Sequence, residues 1–224
     1  MFDTMKPISD VYNMDCLEYM RTIPDKTFDL CIADPPYGIG AGKMTMGKGK
    51  KKKWKKKDWD SSIPKEAVFD EILRTCKNVV IWGGNYFDLP KTKSWIVWDK
   101  GIDGDTSFAD GELAWTNFNA VLRIAHIRYK GFIGADKNRI HPTQKPIALY
   151  HWVLKNYAKN GDKIFDPFLG SGSSRIAAYK LGFDFVGCEI DEEYFRLSEE
   201  RFKKECNGVQ TLQNGVTITQ GSLF

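Results

Sequence analysis

The sequence predicts a single α/β domain. Three observations carry that prediction. Short β-branched or aromatic runs alternate with longer amphipathic stretches, no internal repeat interrupts them, and residues 163–189 read as strand, glycine turn, helix, strand and acid. At 224 residues the chain has the length of one generous domain, or of one with a small insertion. Its composition, 42% apolar and 28% charged, is too rich in core formers for intrinsic disorder. No apolar run nears the roughly 18 residues of a membrane span, and the opening residues lack a secretory pattern. The five cysteines (Cys16, Cys31, Cys76, Cys188, Cys206) are widely spaced and form no C-x-x-C pair. That argues against a zinc site and a disulfide framework, and makes a reducing cytoplasm the expected location.

Taken in order, an opening strand precedes Asp15-Cys16, and FDLCIA (28–33), apolar but for Asp29, is expected as a buried strand. A helix is expected from about Lys65 to Cys76, because Val68, Phe69, Ile72, Leu73 and Cys76 share a face and Pro64 suits its opening turn. NVVIW (78–82), WIVW (95–98), AVLRIAHI (120–127), KIF (163–165) and FDFVGC (183–188) read as strands. Three further helices are expected at about 147–158, 173–181 and 191–206. Gly182 would cap the second of these, and Asp191, followed by Glu192 and Glu193, opens the third. Residues 100–140 are richer in Gly and Asp, and read as an insertion that recognises substrate. Without a clean linker, one domain spans 1–224.

Charge is concentrated. Residues 43–57 hold nine lysines and no acid; removing them from the total of 33 leaves 24 basic against 29 acidic residues. Such a Gly/Lys run is a loop, since repelling ammonium groups do not pack against one another. It attracts phosphates by counterion release, and Lys48, Lys50, Lys51, Lys52, Lys53, Trp54, Lys55, Lys56 and Lys57 are its candidate nucleic-acid contacts, with Trp54 and Trp59 offering rings for bases. A solubilising or localisation-like tract is the plainer reading of the run taken alone. In 100–140, Arg123, Arg128, Lys130, Lys137, Asn138 and Arg139 are candidates for bases or phosphates.

Two turns carry the chemistry. After the strand at 163–165, Asp166-Pro-Phe-Leu-Gly-Ser-Gly enters a helix, and Glu189 ends the next strand. Gly170 and Gly172 permit a tight turn and close backbone approach, while Glu189 is placed to accept both hydroxyls of a ribose. No Gly-Lys-Ser/Thr follows, which excludes a Walker loop, and Arg175 stands where a dinucleotide fingerprint needs Gly or Ala. The ligand is therefore adenosine-like. The second turn, Asp34-Pro35-Pro36-Tyr37, follows the strand 28–33. Its two prolines make a rigid extended turn, so that Asp34 and the Pro35 carbonyl can accept hydrogen bonds from an exocyclic amine while Tyr37 offers a ring for stacking. Each motif, standing alone, also reads as a structural turn.

Together they resemble the amino-directed DNA methyltransferases, with Asp-Pro-Pro-Tyr ahead of the glycine turn in the order of the β class. His141-Pro-Thr-Gln-Lys-Pro146, Asp15-Cys16, Ile81-Trp-Gly-Gly-Asn-Tyr86 and Trp95-Ile-Val-Trp-Asp-Lys100 are similar to further segments of that family, and the resemblance covers essentially the whole chain. It implies a Rossmann-like, circularly permuted fold with a single mixed sheet flanked by helices. It also implies S-adenosylmethionine as cofactor, with no metal, and double-stranded DNA as partner. Asp166, Phe168, Gly170, Ser171 and Gly172 would then line the methionine side of the pocket and Glu189 would hold the ribose. Asp15 and Cys16 would meet the adenine, and Thr143 and Lys145 the cofactor carboxylate. Asp34, Pro35, Pro36 and Tyr37 would be catalytic on a flipped-out base, as in restriction-modification enzymes. Asp at the first motif position favours adenine N6 within that family. Cytosine N4 is the alternative, with RNA or protein amines and a catalytically idle DNA-binding module as the readings further off. Gln220-Gly-Ser-Leu-Phe224 resembles a peptide that binds bacterial sliding clamps; we favour the continuation of an edge strand begun at Gly215.

Overall fold

The computed structural model describes residues 6–43, 57–102, 109–129, 139–207, 209–211 and 217–219. In chain order its elements are β1 (Ser9–Tyr12), α1 (Cys16–Arg21), β2 (Phe28–Ala33), α2 (Glu66–Thr75), β3 (Cys76–Trp82), β4 (Trp95–Asp99), β5 (Gly111–Thr116), β6 (Arg123–His126), α3 (Ile147–Tyr157), β7 (Lys163–Asp166), α4 (Ser173–Lys180), β8 (Asp184–Cys188), α5 (Glu192–Cys206), β9 (Val209–Thr211) and β10 (Thr217–Thr219). Eight strands form one sheet in the order β1-β8-β7-β2-β3-β5-β4-β6, and β9 with β10 makes a separate antiparallel pair. The run from β1 to β3 is parallel, and β5 is antiparallel to both of its neighbours. The two ends of the chain interleave, β1 lying against β8 and β2 against β7, which is the expected permuted mixed sheet.

Burial on both faces explains the near-continuous apolar runs of the central strands. Along β2 and β3, Leu30, Ile32, Val80 and Trp82 face one core layer with Leu149 and Val153 of α3 and Ala177 of α4. Cys31, Ala33, Val79 and Ile81 face the other, with Met20 of α1 and Phe69 and Ile72 of α2. The expected caps form. Asp191 accepts the Tyr194 N–H at 3.0 Å. At the end of α4 the chain turns through Gly182 at φ +79°, with Gly182 N–H donating to Tyr179 and Phe183 N–H to Ala178, the paired pattern of a glycine stop.

Three expectations change. Lys65 is the N-cap of α2, so Pro64 stands before the helix rather than in its opening turn. AVLRIAHI shrinks to Arg123–His126, because the strand begins only where β4 supplies a partner, Ile96 opposite Arg123. Most importantly, the irregular 100–140 segment contributes β5, inserted between β3 and β4 at the heart of that half of the sheet. GELAWT opens on two weak strand formers, and its strand is dictated by neighbours on both sides rather than by propensity. Helix α1 has six residues, too few to show a 3.6-residue period. No helix among the described residues is long and apolar enough to cross a membrane. Residues 220–224, Lys48, Lys50–Lys53, Trp54, Lys55, Lys56, Lys130, Lys137 and Asn138 lie outside the described residues.

Candidate active site at the carboxyl rim of the sheet

Parallel strands put their carboxyl ends on one rim, where ligands of such sheets bind. Asp15 follows β1, Asp34 follows β2, Gly83 follows β3, Asp166 ends β7 and Glu189 follows β8. Because β5 runs against β3 and β4, the start of β5 and the end of β4 reach the same rim, bringing Glu112 and Lys100 there. A cavity of about 440 Å³ opens at this rim. That is the size of a small-molecule site. Asp15, Cys16, Asp34, Pro35, Pro36, Tyr37, Thr143, Lys145, Phe168, Gly170, Ser171 and Glu189 all line it. Asp166 and Gly172 are not among its lining residues.

At one end of the cavity the glycine turn is braced from several sides. Gly170 and Gly172 take φ of +51° and +71°, conformations that favour glycine. Glu189 Oε2 accepts the Gly170 N–H at 2.7 Å and Oε1 the Asp191 N–H at 2.8 Å, so one carboxylate ties the turn to the start of α5. Burial pushes Glu189 upward, and those two N–H groups pull it back. Arg201 of α5, which the sequence did not single out, donates to the Ser171 carbonyl at 2.7 Å from beneath. Ser173 Oγ donates to the Lys145 carbonyl at 2.8 Å and joins the turn to the 141–146 segment. Asp15 caps α1 by accepting the Leu17 and Glu18 N–H groups. Burial, with the Asp15 charge beside it, pushes the Cys16 thiol up to about 12, which removes it as a nucleophile.

Asp166 sits under this turn rather than in the cavity wall. Its carboxylate accepts the Phe168 N–H and the Ser174 hydroxyl, which shapes the turn. Burial pushes it up to about 7, against the pull of those two donors. A folded-state pKa above the unfolded value of 3.8 means its contribution to stability is full below pH 3.8 and is lost as pH rises through about 7. The expected result is that Asp166→Asn gains melting temperature relative to wild type as pH is raised from 4 to 8. A difference that stays constant over that range contradicts it.

At the other end, Asp34 is part of a network of charges. Lys145 Nζ makes a short ion pair with Asp34 Oδ1 and lies 3.2 Å from Glu112 Oε2. The Tyr37 hydroxyl donates to Asp34 Oδ1 at 2.8 Å and receives a bond from Lys145 Nζ at 3.0 Å. Lys100 Nζ closes the group, 2.8 Å from Glu112 Oε1. Burial lifts the Glu112 carboxyl, but Lys145 and Lys100 outweigh it and hold it at about 2. Burial would lower Lys145, and the two carboxylates reverse that, so its ammonium stays charged. Burial pushes Asp34 above the usual carboxylate range, Lys145 opposing and Glu112 reinforcing. The resemblance assigned Lys145 to a cofactor carboxylate; in the structure it pairs with carboxylates of the chain itself. Glu112 carried no motif signal at all.

Tyr37 owes its position to the chain after β3. Its ring stacks on Tyr86 at 5.0 Å and meets Phe87 edge-on at 6.2 Å. Gly83 lies against the ring: a Cβ there would fall 2.3 Å from Tyr37 Cε1, and its φ is +66°. A Cβ on Gly84 would fall 2.4 Å from Trp115 Cβ. Gly83 is thus required by the close packing of the Tyr37 ring, and Gly84 by that of the Trp115 Cβ and backbone. Gly83→Ala is expected to cost about 1–3 kcal/mol of stability and, by displacing Tyr37, far more activity than that loss explains. Thermal melting and catalytic activity measured together check this, and wild-type activity would refute the role of Gly83.

Lys57, grouped by sequence with the phosphate contacts, pairs with acids at the start of α5. Its Nζ lies 2.7 Å from Asp191 and 3.0 Å from Glu193, and 4.2 Å from the Tyr194 ring centroid. Asp60 accepts the Gly38 and Ala41 N–H groups at 2.9 and 2.7 Å, tying the segment after the lysine run to the segment before it. Thr143 donates to Nδ1 of His141, whose ring packs between Trp59 and Tyr194. Burial, with Arg139 and Lys145 nearby, holds His141 at about 3, so it is a neutral packing group. Arg123 and Arg128 are exposed, while Arg139 lines the cavity. Among the described residues no cluster of His, Cys, Asp or Glu could hold a metal ion.

An open, mostly parallel mixed sheet with two motif-bearing turns on one rim cavity defines a class of α/β enzymes acting on nucleotide-like ligands. The relatives narrow it. The N6_N4_Mtase family model, described as DNA methylase, matches residues 85–200. The type II methyltransferase M.HpaI of Haemophilus parainfluenzae is 35% identical, over 88% of this chain and 75% of its own length. M.HinfI of Haemophilus influenzae is 24% identical over 88% and 69%. The chain belongs to this DNA methylase family. The same fold occurs in the M1.HpyAVI-SAM complex (TM-score 0.56, 19% identity, 86% of this chain and 98% of that one) and in the cytosine-N4-specific PvuII DNA methyltransferase (TM-score 0.56, 14% identity, 94% and 89%).

Proposed function

We propose that this DNA methyltransferase takes S-adenosylmethionine as cofactor and methylates the exocyclic N6 amine of an adenine flipped out of duplex DNA. One observation carries the reading: the Asp34-Pro35-Pro36-Tyr37 turn and the Glu189-braced glycine turn line a single cavity. The residues fit the cofactor. Phe168 and Ile190 offer apolar wall, Glu189 a carboxylate for hydroxyls, and Gly170 a cradle without a side chain. When bound, the cofactor supplies an electrophilic methyl group on a sulfonium. Asp15, Cys16 and Glu189 would hold its adenosine part, and Phe168, Gly170, Ser171 and Thr143 the rest, with Asp166 and Gly172 shaping the turn from outside the wall.

An aromatic amine is a weak nucleophile because its lone pair is delocalised into the ring. Asp34 Oδ2, the oxygen engaged by neither Lys145 nor Tyr37, accepts one amino hydrogen, and the Pro35 carbonyl accepts the other. Both bonds oppose delocalisation and stabilise positive charge as it develops on nitrogen. Pro36 fixes the turn, and positioning rather than covalent catalysis carries the rate. The lysines 48–56 with Trp54 would hold phosphates around the flipped nucleotide, with Lys57 as the fixed end of that loop. Residues 100–140, apart from β5 and β6, would contribute to target recognition.

The test is transfer of a labelled methyl group to duplex DNA, with duplex RNA and protein as competitors. Label enters DNA if the reading is right, and its entry into RNA or protein alone overturns it. Neutralising Lys48 and Lys50–Lys53 is expected to flatten the salt dependence of DNA binding, the logarithmic slope falling by roughly 0.9 for each phosphate no longer neutralised, with cofactor affinity unchanged. An unaltered salt slope removes the loop from the interface.

A further inference from the structure

We infer that Glu112 is a positioning residue for methyl transfer: it shares the ammonium of Lys145 with Asp34, so that the Asp34 carboxylate is not wholly taken up by that ammonium and can accept the amine's hydrogens. This rests on the role proposed for Asp34.

The geometry leads there directly. Glu112 stands opposite Trp98, itself opposite Ala125, in a row of β5, β4 and β6 whose other two members are buried apolar residues. A carboxylate in such a row needs compensation, and it has two cations. Lys100 meets Oε1 at 2.8 Å, and Lys145 meets Oε2 at 3.2 Å while pairing with Asp34. The Tyr37 hydroxyl spans the same two acids, 2.8 Å from Asp34 Oδ1 and 3.4 Å from Glu112 Oε2. Two carboxylates and two ammonium groups thus form a balanced set whose members are mostly withdrawn from water.

Balance matters because the reaction adds positive charge beside it. If Lys145 answered to Asp34 alone, a one-to-one ion pair would drain the acceptor, and the ammonium would repel the amine as it alkylates. Glu112 turns part of that charge away. Lys100 then keeps Glu112 ionised, so that it does not take a proton in its turn. The groups facing Asp34 are Lys145 ahead of α3, Glu112 on β5, Tyr37 on its own turn, Tyr150 on α3 and Asp166 on β7. Of the carboxylates, Glu112 is the one that shares Lys145 with it. Removing Glu112 leaves the set one charge positive; removing Lys100 leaves it one charge negative.

Single-turnover methyl transfer to duplex DNA at saturating S-adenosylmethionine, followed from pH 5 to 9, tests this. Glu112→Gln is expected to slow transfer roughly 10–100-fold and to move the acid limb about one pH unit lower, with cofactor affinity unchanged. Lys100→Met moves the limb in the opposite direction. The double variant restores the net charge and returns the limb toward its wild-type position, but the rate stays low, because Lys145 then answers to Asp34 alone. A rate loss with a limb that stays unmoved in all three variants assigns Glu112 to structure alone and overturns the inference. If Glu112→Gln does not fold, Lys100→Met decides, an unmoved limb again counting against it. Asp34→Ala, run alongside, separates the two ideas. Transfer that survives in Asp34→Ala defeats the reading of Asp34 itself, whereas an inactive Asp34→Ala with wild-type behaviour in the Glu112 and Lys100 variants defeats only the role of Glu112.

Discussion

Asp34→Ala should abolish methyl transfer, by roughly 10³-fold or more, and leave cofactor affinity within a few-fold of wild type. The carboxylate is lost from the point where charge develops on the accepting nitrogen. The substitution also strands Lys145, whose ammonium is 5% exposed and would keep only Glu112 as its acidic partner. Loss of one member of a buried pair costs about 3–5 kcal/mol where no rearrangement compensates. Here Glu112 compensates in part, so the protein should fold with a modest fall in melting temperature. Asp34→Asn separates charge from shape, since it keeps a carbonyl acceptor but no negative charge. It should retain more activity than Asp34→Ala and far less than wild type. Burst and single-turnover kinetics beside a cofactor titration distinguish lost chemistry from lost binding. Weakened cofactor binding as the main defect would contradict the assignment.

Glu189→Ala should produce the complementary defect, a fall of roughly 10²–10⁴-fold in cofactor affinity, from two hydroxyl bonds to a charged acceptor at about 1.5–3 kcal/mol each. Its second consequence is structural. The Gly170 and Asp191 N–H groups lose their shared acceptor, and the turn is freed from the start of α5. Melting temperature should therefore respond less to added cofactor than in wild type, because a site with weaker affinity transmits less stabilisation at the same concentration. Equal cofactor-induced shifts in the two proteins would show that Glu189 does not hold the ligand.

The parts legible in the sequence were those encoded locally. Short runs rich in apolar residues marked β2, β7 and β8, and Asp191 and Gly182 marked helix ends, because burial on both faces and capping leave signatures within a few residues. The two turns were legible because proline and glycine restrict or release the backbone wherever they stand. What stayed hidden depended on distant partners. β5 is a strand because β3 and β4 flank it, and Glu112 belongs to the site because β5 runs antiparallel to the strands beside it. Lys145 was noticed, but a lysine's partner is set by what the fold brings within reach. Spacing along the chain does not encode the 111 positions that separate it from Asp34. Lys57 teaches the same lesson in reverse: within a run of like charges, the member fixed by Asp191, 134 positions away, looks like all the others.

Incubation with unmethylated duplex DNA and labelled S-adenosylmethionine, followed by digestion to nucleosides and mass spectrometry, tests the central claim most directly. The predicted result is label in N6-methyladenine for the wild-type protein and none for Asp34→Ala. Label in N4-methylcytosine would contradict the choice of base, and label in no nucleoside would contradict the enzyme reading itself.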